Sequence, residues 1–367
     1  MDSKKICTAE AIALLIMIMI NQVILGLPKT IIVNSGSGAW INVIVISIIA
    51  IFLAVLITKL FKKFPASDIL DVSELVGGKI LKIIVSIIFF SLFFLTSIIC
   101  LRYIVETLIL IYFKNTNILF LILLFVIGII IANRKSFTSI ARATYILTII
   151  ILAVMFILFV FSTKLFVTER LFPILGYGAD KTFLLSLSNL SAFSGLAYIL
   201  FLLPFLKETK SFKKINVIAI VISSLYLFLS VVCLLLVFPF NSISENLLSV
   251  YLLTRIVEYS SFLQRADAIY ILFWILAILS YLSINMFFML HIFQKNTNIK
   301  NHTGILYAIS LILIATSLII KGAAEHRFLQ NIVCFYLFLF AIGLSLVILF
   351  IANWKRKKHN SNSPPAP

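Results

Sequence analysis

Long apolar runs recur along the whole of this sequence, separated by short polar connections. A run of about 18 apolar residues or more is long enough to cross the hydrocarbon core of a bilayer as a helix. A soluble domain needs a polar surface, whereas 62% of these 367 residues are hydrophobic and only 12% are charged. Because backbone groups in lipid must be paired within their own segment, the runs predict an all-α integral membrane protein.

Polar residues divide the apolar sequence into about ten candidate transmembrane helices. They lie near residues 9–33, 40–58, 83–112, 117–133, 140–162, 182–206, 215–238, 267–293, 303–320 and 332–353. Two sets of five helices, in residues 1–162 and 163–353, have opposite orientations because five is odd. The sequence therefore predicts a five-plus-five inverted repeat with breaks in helices 1 and 6, followed by a basic, disordered tail at residues 354–367.

Basic residues set the expected orientation. Most of the 30 Lys and Arg residues fall in the connections on one side, and such connections face the cytoplasm. A multi-pass inner-membrane protein with both termini in the cytoplasm is expected. The net charge of +17 is spread over these connections and forms no single groove, so nucleic acid is not an expected partner. The tail, with Lys355 and Lys357, is expected to touch anionic membrane lipid.

The residue types that perform covalent or metal chemistry are few and scattered. The four cysteines form no CxxC pattern, and the histidines have no acidic or cysteine companions at ligand spacing. The histidines lie at span ends or in connections, at His291, His302, His326 and His359. The sequence therefore predicts no enzyme, no cofactor and no metal site.

Two connections are too long to be simple turns. In the first, residues 64–81, Ser67 is expected to cap a short surface helix that stops at Gly77 and Gly78. The second, residues 239–265, places Ser242 three residues before Glu245, which is a capping-box spacing. Apolar residues at helical spacing follow, so this connection is expected to lie across the outer face as a lid.

Two of the candidate spans contain helix-breaking residues. Gly26 and Pro28 interrupt the first, where proline frees backbone groups at depth. The sixth is interrupted by Asn189, Ser191, Ser194 and Gly195. Taken alone, either interruption is better explained by a kink that serves helix packing. Paired breaks at corresponding positions favour a ligand site near the bilayer midplane, because the amino termini of half-helices can face a carboxylate.

Charged and polar residues also lie within spans three and eight. Arg102 and Glu106 are one helical turn apart, so a substrate or proton role and a self-compensating ion pair are both open. Ser283 in the eighth span is a further candidate for the cavity wall, together with Ser280 and Asn285. The alternative is that these side chains only bond neighbouring helices.

Several local motifs carry a resemblance to a known family. They are Thr8-Ala9-Glu10-Ala11 before Gly26-Leu27-Pro28, Phe64-Pro65 before Gly77-Gly78-Lys79, the loop from Leu171 to Gly178, and Gln264-Arg265-Ala266-Asp267. With these motifs the chain resembles the B subunit of spore germinant receptors, the endospore germination permeases of the amino acid, polyamine and organocation superfamily. The resemblance covers nearly the whole chain.

The resemblance implies a membrane subunit of a spore germinant receptor, resident in the spore inner membrane beside an A subunit and a lipoprotein C subunit. It implies that a small germinant, above all an amino acid, is recognised between helices one, three, six and eight. Gly26 and Pro28 would lie there opposite Asn189, Ser191, Ser194 and Gly195. The alternatives are a secondary amino-acid transporter with Glu106 as proton carrier, and a passive channel or structural subunit.

Overall fold

The computed structural model describes residues 5–183, 185–245, 249–256, 266–297, 299, 302–320, 325, 328–330 and 332–361. Within that part of the chain every regular element is helical, and the β contact found there is an isolated bridge between Ile6 and Leu206. This agrees with the all-α prediction. The end of the predicted tail, 362–367, lies outside the described residues.

The α-helices are numbered in chain order. In the first half they are α1 (Thr8–Ile24), α2 (Leu27–Ser35), α3 (Ala39–Phe61), α4 (Ile69–Ile111), α5 (Ile118–Asn133) and α6 (Phe137–Ser162). In the second half they are α7 (Ala179–Phe183), α8 (Gly195–Leu202), α9 (Phe212–Val237), α10 (Phe240–Glu245), α11 (Ser249–Ile256), α12 (Ala266–Thr297), α13 (His302–Ile319) and α14 (Phe338–Ser361). A 3-10 helix, Leu185–Phe193, precedes α8, and a π-helix, Ile332–Leu337, precedes α14.

In the described part of the chain, seven helical stretches are long and apolar enough to cross a membrane. They are Leu27–Phe61, Ile69–Ile111, Phe137–Leu165, Thr209–Val237, Tyr270–Thr297, His302–Ile319 and Phe328–Arg356. Three further apolar helices are shorter, and they are Thr8–Ile24, Ile118–Asn133 and Gly195–Phe205. The protein is therefore a multi-pass membrane protein.

Helix α1 lies at the centre of the bundle. It packs against α6, α9 and α12, and its side chains are buried from Ala13 to Asn21. A helix that is apolar on all sides and buried on all sides is typical of the interior of a membrane bundle. On the periphery, in contrast, Ile48, Phe52 and Leu311 are exposed, as expected of side chains that face lipid.

The first long connection forms the surface helix that the sequence predicts, with a different capping residue. Asp68, rather than Ser67, is the N-cap, because its carboxylate accepts the backbone amides of Leu70 and Asp71 at 2.9 and 3.1 Å. The surface helix is the first part of α4, and a kink at Gly77 and Gly78 separates it from the rest, where Gly78 has φ 69° and ψ −163°. A straight helix of 43 residues would be about 65 Å long, twice the bilayer core, so the kink separates the surface turns from the span.

The two ends of the described chain meet at one end of the bundle. The amide of Ile6 donates to the carbonyl of Phe205 at 2.8 Å, and the guanidinium of Arg356 in α14 donates to the carbonyl of Lys63. We call this region the basic end, and it comprises Ile6, the connections 62–68 and 203–211, and the last turns of α12 and α14.

The second long connection contains two short helices, α10 and α11. Helix α10 packs against α2, on the side opposite the basic end. Glu245, the second partner of the expected capping box, ends α10 rather than lying in its first turn. Residues 246–248 and 257–265 lie outside the described part, so the expected lid is described only at Phe240–Glu245 and Ser249–Ile256.

Candidate ligand-binding site

The first span is broken between α1 and α2. Gly26 has φ 106° and ψ 11°, a left-handed conformation that residues with a side chain rarely adopt, and it is the N-cap of α2. Pro28 lies in the first turn of α2, where its missing amide interrupts no helical hydrogen bond. The expected interruption at Gly26 and Pro28 is therefore present as two separate helices.

The sixth span is broken more extensively than its sequence suggests. Residues Leu185–Phe193 form a 3-10 helix, and α-helical geometry begins only at Gly195, with Ser194 as N-cap. A 3-10 helix of this length is uncommon. Serine and asparagine side chains compete with the backbone for hydrogen bonds, which explains why the segment rich in them is not α-helical.

Two small adjacent hollows lie where these interruptions face each other, with volumes of about 30 and 20 Å³. Gln22 and Thr96 line both of them. The first is further lined by Leu25, Cys100 and Tyr103, and the second by Ser191, Ser194, Tyr198 and Tyr281. Each has room for one or two water molecules. A small organic solute fits only after the walls move apart.

The wall of the second hollow contains a polar atom without a partner. The Ser194 hydroxyl is buried and has no hydrogen-bond partner among the described residues. An unpaired buried polar atom costs about 1–3 kcal/mol. A water molecule or a polar ligand in the hollow would satisfy the Ser194 hydroxyl.

Helix ends of opposite polarity meet at the same place. Helix α1 ends at Ile24, beside the lining residues Gln22 and Leu25, and a carboxyl-terminal helix end carries partial negative charge. Helix α8 begins directly after Ser194, and an amino-terminal helix end carries partial positive charge. The end of α1 therefore favours a cationic group beside the first hollow, and the start of α8 favours an anionic group beside the second.

Residues of α4 and α12 hold the tyrosine wall in place. The Tyr198 hydroxyl donates to the side-chain oxygen of Asn285, and the Asn285 amide donates to the Ser97 hydroxyl at 2.9 Å. Asn285 is completely buried. It therefore acts on the hollow through Tyr198, because Asn285 itself is not one of the lining residues.

Aromatic side chains fill the space between the second hollow and the basic end. Phe93 lines the hollow, and its ring lies 4.7 Å from Tyr198 and 6.0 Å from Phe288. The chain of rings continues from Phe288 to Phe205, which contacts the His291 ring at 5.1 Å. We call this cluster the aromatic plug, and it comprises Phe89, Phe93, Phe201, Phe205, Phe287 and Phe288. The plug closes the hollow on the side of the basic end.

Some of the sequence-predicted site residues lie at the hollows and others do not. Ser191 and Ser194 line the second hollow. Gly26 adjoins the first, since a Cβ atom there would lie 3.5 Å from the Tyr103 hydroxyl. Gly195 instead packs against the Met19 side chain, which a Cβ atom would approach to 3.1 Å.

Asn189 lies in a separate polar cluster near the end of α2. Its side chain bonds the side chains of Asn34 and Asn42, each at 3.4 Å, and Asn42 also donates to the Ser35 hydroxyl at 3.0 Å. Asn189 therefore links the broken sixth span to α2 and α3, and it does not line either hollow.

The charged pair in α4 is self-compensating. Arg102 donates to Glu106 at 2.6 Å and to the carbonyl oxygen of Ser317 in α13 at 3.4 Å. The Ser283 hydroxyl donates to the Leu279 carbonyl oxygen of its own helix at 2.7 Å. Arg102, Glu106 and Ser283 line neither hollow. In this conformation the geometry favours a role in helix packing for these residues over contact with a ligand.

The sequence alone did not identify most of the residues that line the two hollows. Those residues include Gln22, Thr96, Tyr103, Tyr198 and Tyr281. Gln22 carried a usable signal, because Asn21 and Gln22 form a polar pair inside an apolar run just before Gly26. The tyrosines carried none, since a tyrosine in a span faces lipid or protein equally well.

Two of the motifs that carry the family resemblance have structural roles. A Cβ atom at Gly176 would overlap the carbonyl oxygen of Ser35, so glycine there seats the 171–178 loop on the turn before α3. Asp267 accepts the hydroxyls of Tyr112 and Tyr251 at 3.1 and 3.3 Å. Gln264 and Arg265, from the same motif, lie outside the described residues.

Two known proteins with similar sequences are both spore germination proteins. The chain is 22% identical over 371 residues to spore germination protein KB of Bacillus subtilis (strain 168), across 99% of this chain and 98% of that protein. It is 24% identical over 217 residues to spore germination protein B2 of the same organism, across 57% of this chain and 58% of that protein.

A solved structure shares the fold. It is a Na⁺-coupled sialic acid symporter in a substrate-bound, outward-open state, with a TM-score of 0.62 over 91% of this chain and 78% of that one, at 14% identity. The family model described as spore germination protein matches residues 5–325. The match covers most of the chain, including both helix interruptions and every residue of the hollows except those contributed after residue 325. The chain therefore belongs to the spore germination protein family of membrane permeases.

Proposed function

We propose that this protein is the membrane subunit of a spore germinant receptor, and that it recognises a small nutrient germinant in the hollow between its two broken spans. The observation that carries the proposal is the meeting of both interruptions at two adjacent hollows, the second of which is lined by Gln22, Ser191 and Ser194. Membership of the germination family supplies the biological context.

The proposed architecture is ten spans in two inverted repeats, at residues 1–162 and 163–353. Helices α3 and α9, which would be spans two and seven, pack along each other, and so do α4 and α12, which would be spans three and eight. Such pairing between corresponding spans supports the proposed pseudo-two-fold relation between the two halves. Both termini would face the cytoplasm, because the basic end carries them.

An amino acid is the ligand that fits the hollow's chemistry best. Its carboxylate would lie at the start of α8, near the unpaired Ser194 hydroxyl, and its ammonium group at the end of α1. Because the two hollows are each of water size, binding requires the broken spans to move apart and close again over the ligand.

Sensing, rather than passage, is the proposed consequence of binding. The aromatic plug fills the route from the hollow to the basic end, so closure around a ligand would change the packing of α4, α8 and α12. The A and C subunits of the receptor would read that change. Membrane lipid surrounds the subunit, and no nucleic-acid partner is proposed.

The test compares two serines in spores. Ser194 and Ser310 both carry a buried hydroxyl without a partner among the described residues, but only Ser194 lines the hollow. Ser194→Ala is expected to raise the amino-acid concentration for half-maximal germination about 2–10-fold, the effect of one lost hydrogen bond. Ser310→Ala is expected to leave it unchanged. Equal responses of the two variants would refute the site.

The second candidate function is secondary transport, which the fold shared with a Na⁺-coupled symporter favours. Uptake by the purified subunit in proteoliposomes separates the two functions. Sensing predicts binding of the germinant without accumulation under a proton or sodium gradient. Transport predicts gradient-driven accumulation that Glu106→Gln, which removes the acidic residue in the part of α4 after Gly78, abolishes.

A further inference from the structure

A much larger pocket lies away from the two hollows, at the basic end. Its volume is about 530 Å³, and it opens between the last turns of α3 and the first turns of α9. The candidate spans Leu27–Phe61 and Thr209–Val237 end and begin there. The pocket therefore lies at the level where the bilayer interior gives way to lipid headgroups and water.

Four lysines from two distant segments converge on the rim of the pocket. They are Lys59 and Lys62 at the end of α3, and Lys210 and Lys213 at the start of α9. No acidic residue is among the described residues that line it. Glu208, the neighbouring acidic residue in sequence, accepts the Ser211 hydroxyl at 3.2 Å and does not line the pocket. Lysines near span ends are common, but four lysines around one recess form a site for a multiply bonded anion.

The back of the pocket is apolar. Phe61 and Phe212 meet edge to face, with ring centroids 6.3 Å apart, and Val55 and Leu203 extend the wall. Thr58, a polar residue of this wall, accepts the Asn216 amide at 3.1 Å and donates to the Ala54 carbonyl at 2.7 Å. Water in this recess would be poorly bonded, whereas hydrocarbon would pack against the wall.

We propose that this pocket binds an anionic phospholipid of the leaflet at the basic end. The phosphate lies among Lys59, Lys62, Lys210 and Lys213, and the first carbons of the acyl chains lie against the phenylalanine wall. A soluble phosphate compound matches the lysines but leaves the apolar wall wet, so the combination favours a lipid. The site joins the two halves of the chain, because α3 belongs to the first half and α9 to the second.

The experiment uses the purified full-length chain in detergent and native mass spectrometry to count retained lipids. Phosphatidylglycerol and phosphatidylcholine with the same acyl chains are the probes. The intact protein is expected to retain one phosphatidylglycerol in preference to phosphatidylcholine. The combined variant Lys59→Gln, Lys62→Gln, Lys210→Gln and Lys213→Gln is expected to bind it at least about tenfold more weakly.

A matched variant controls for total charge. Lys63→Gln, Lys79→Gln, Lys207→Gln and Lys214→Gln together remove the same charge from exposed lysines that do not line the pocket, and this variant is expected to retain the lipid. Val55→Trp places a bulky ring against the apolar wall while keeping all four rim lysines, and it is expected to weaken retention of the lipid. Size-exclusion chromatography verifies that each variant remains folded.

Three results would overturn the proposal. One is equal retention of the two lipids by the intact protein, and another is equal loss in the two lysine variants. The third is displacement of the lipid by millimolar inorganic phosphate or glycerol phosphate, which would identify the occupant as a soluble phosphate compound. The readout is independent of germination, so failure of the ligand site between the broken spans leaves this test unchanged.

Discussion

Asp68 is completely buried at the basic end and still carries a charge. Burial opposes ionisation of its carboxyl, but the hydrogen bond from His291 at 2.9 Å and the charge of Lys295 at 2.7 Å outweigh it. Together these groups lower the Asp68 pKa from its ordinary value of 3.8 to about 2. One residue thereby ties the surface turns at the start of α4 to the last turns of α12.

Replacing Asp68 by asparagine tests this link. Asparagine caps a helix as well as aspartate does, so Asp68→Asn removes the ionic contacts and keeps the cap. Lowering of the pKa by about two units corresponds to about 2 kcal/mol, which we expect to be lost from the free energy of unfolding at pH 7. Denaturant titration in detergent, followed by tryptophan fluorescence, measures it.

The pH dependence has a definite sign. Because the folded-state pKa of Asp68 is depressed, its contribution is complete above about pH 4 and disappears as the pH falls towards 2. The two proteins should therefore converge over that interval. Glu74→Gln is the control, since Glu74 pairs with Lys82 on an exposed surface and should show no measurable effect. A pH-independent difference for Asp68→Asn would contradict the ionic explanation.

At the scale of elements, glycines decide where the long apolar runs stop being single helices. Gly26 separates α1 from α2, and Gly78 separates the surface turns from the membrane part of α4. Both have positive φ, at 106° and 69°. Gly343 in α14 has no such conformation, and a Cβ atom there would meet no atom within 4 Å.

Gly26→Ala and Gly343→Ala form a matched pair. Alanine at Gly26 must adopt a left-handed conformation, at a cost of about 1–2 kcal/mol, although a Cβ atom has room beside Tyr103. We expect Gly26→Ala to lower the apparent melting temperature of the detergent-solubilised protein. Gly343→Ala should leave it unchanged or raise it, because alanine favours helix. Equal effects would mean that the conformation at Gly26 is unimportant for stability.

At the scale of the whole molecule, the basic end collects features that are far apart in sequence. It holds both ends of the described chain, the lysine-rimmed pocket and the ionic contacts of Asp68. The other end holds the 171–178 loop, seated on the turn between α2 and α3. The positive-inside rule predicts that the basic end is cytoplasmic.

Cysteine labelling tests this orientation. In a protein without its four native cysteines, Lys63→Cys and Lys214→Cys place thiols at the basic end, and Lys164→Cys and Tyr177→Cys place them at the opposite end. A membrane-impermeant maleimide applied to intact cells should label positions 164 and 177 only. Positions 63 and 214 should react after permeabilisation. The reverse pattern would show that the basic end lies outside.

The sequence alone determined that the spans lie in lipid and where the first span is interrupted. Apolar runs of spanning length require helices in lipid, and Gly26 with Pro28 interrupts a helix wherever the chain lies, because both effects act within a few residues. The one-turn spacing of Arg102 and Glu106 likewise made their ion pair predictable. Local chemistry also predicted the short capped surface helix that forms the start of α4, with its N-cap displaced by one residue.

Only the tertiary structure decided which polar side chains meet. Ser191 and Asn189 are neighbours in one segment, yet Ser191 faces Gln22 in the hollow and Asn189 faces Asn34 and Asn42. The rotation of each helix about its axis fixes these facings, and packing against other helices sets that rotation. The convergence of four lysines on one pocket has the same origin, because α3 and α9 are brought together by the fold and by nothing in their own sequences.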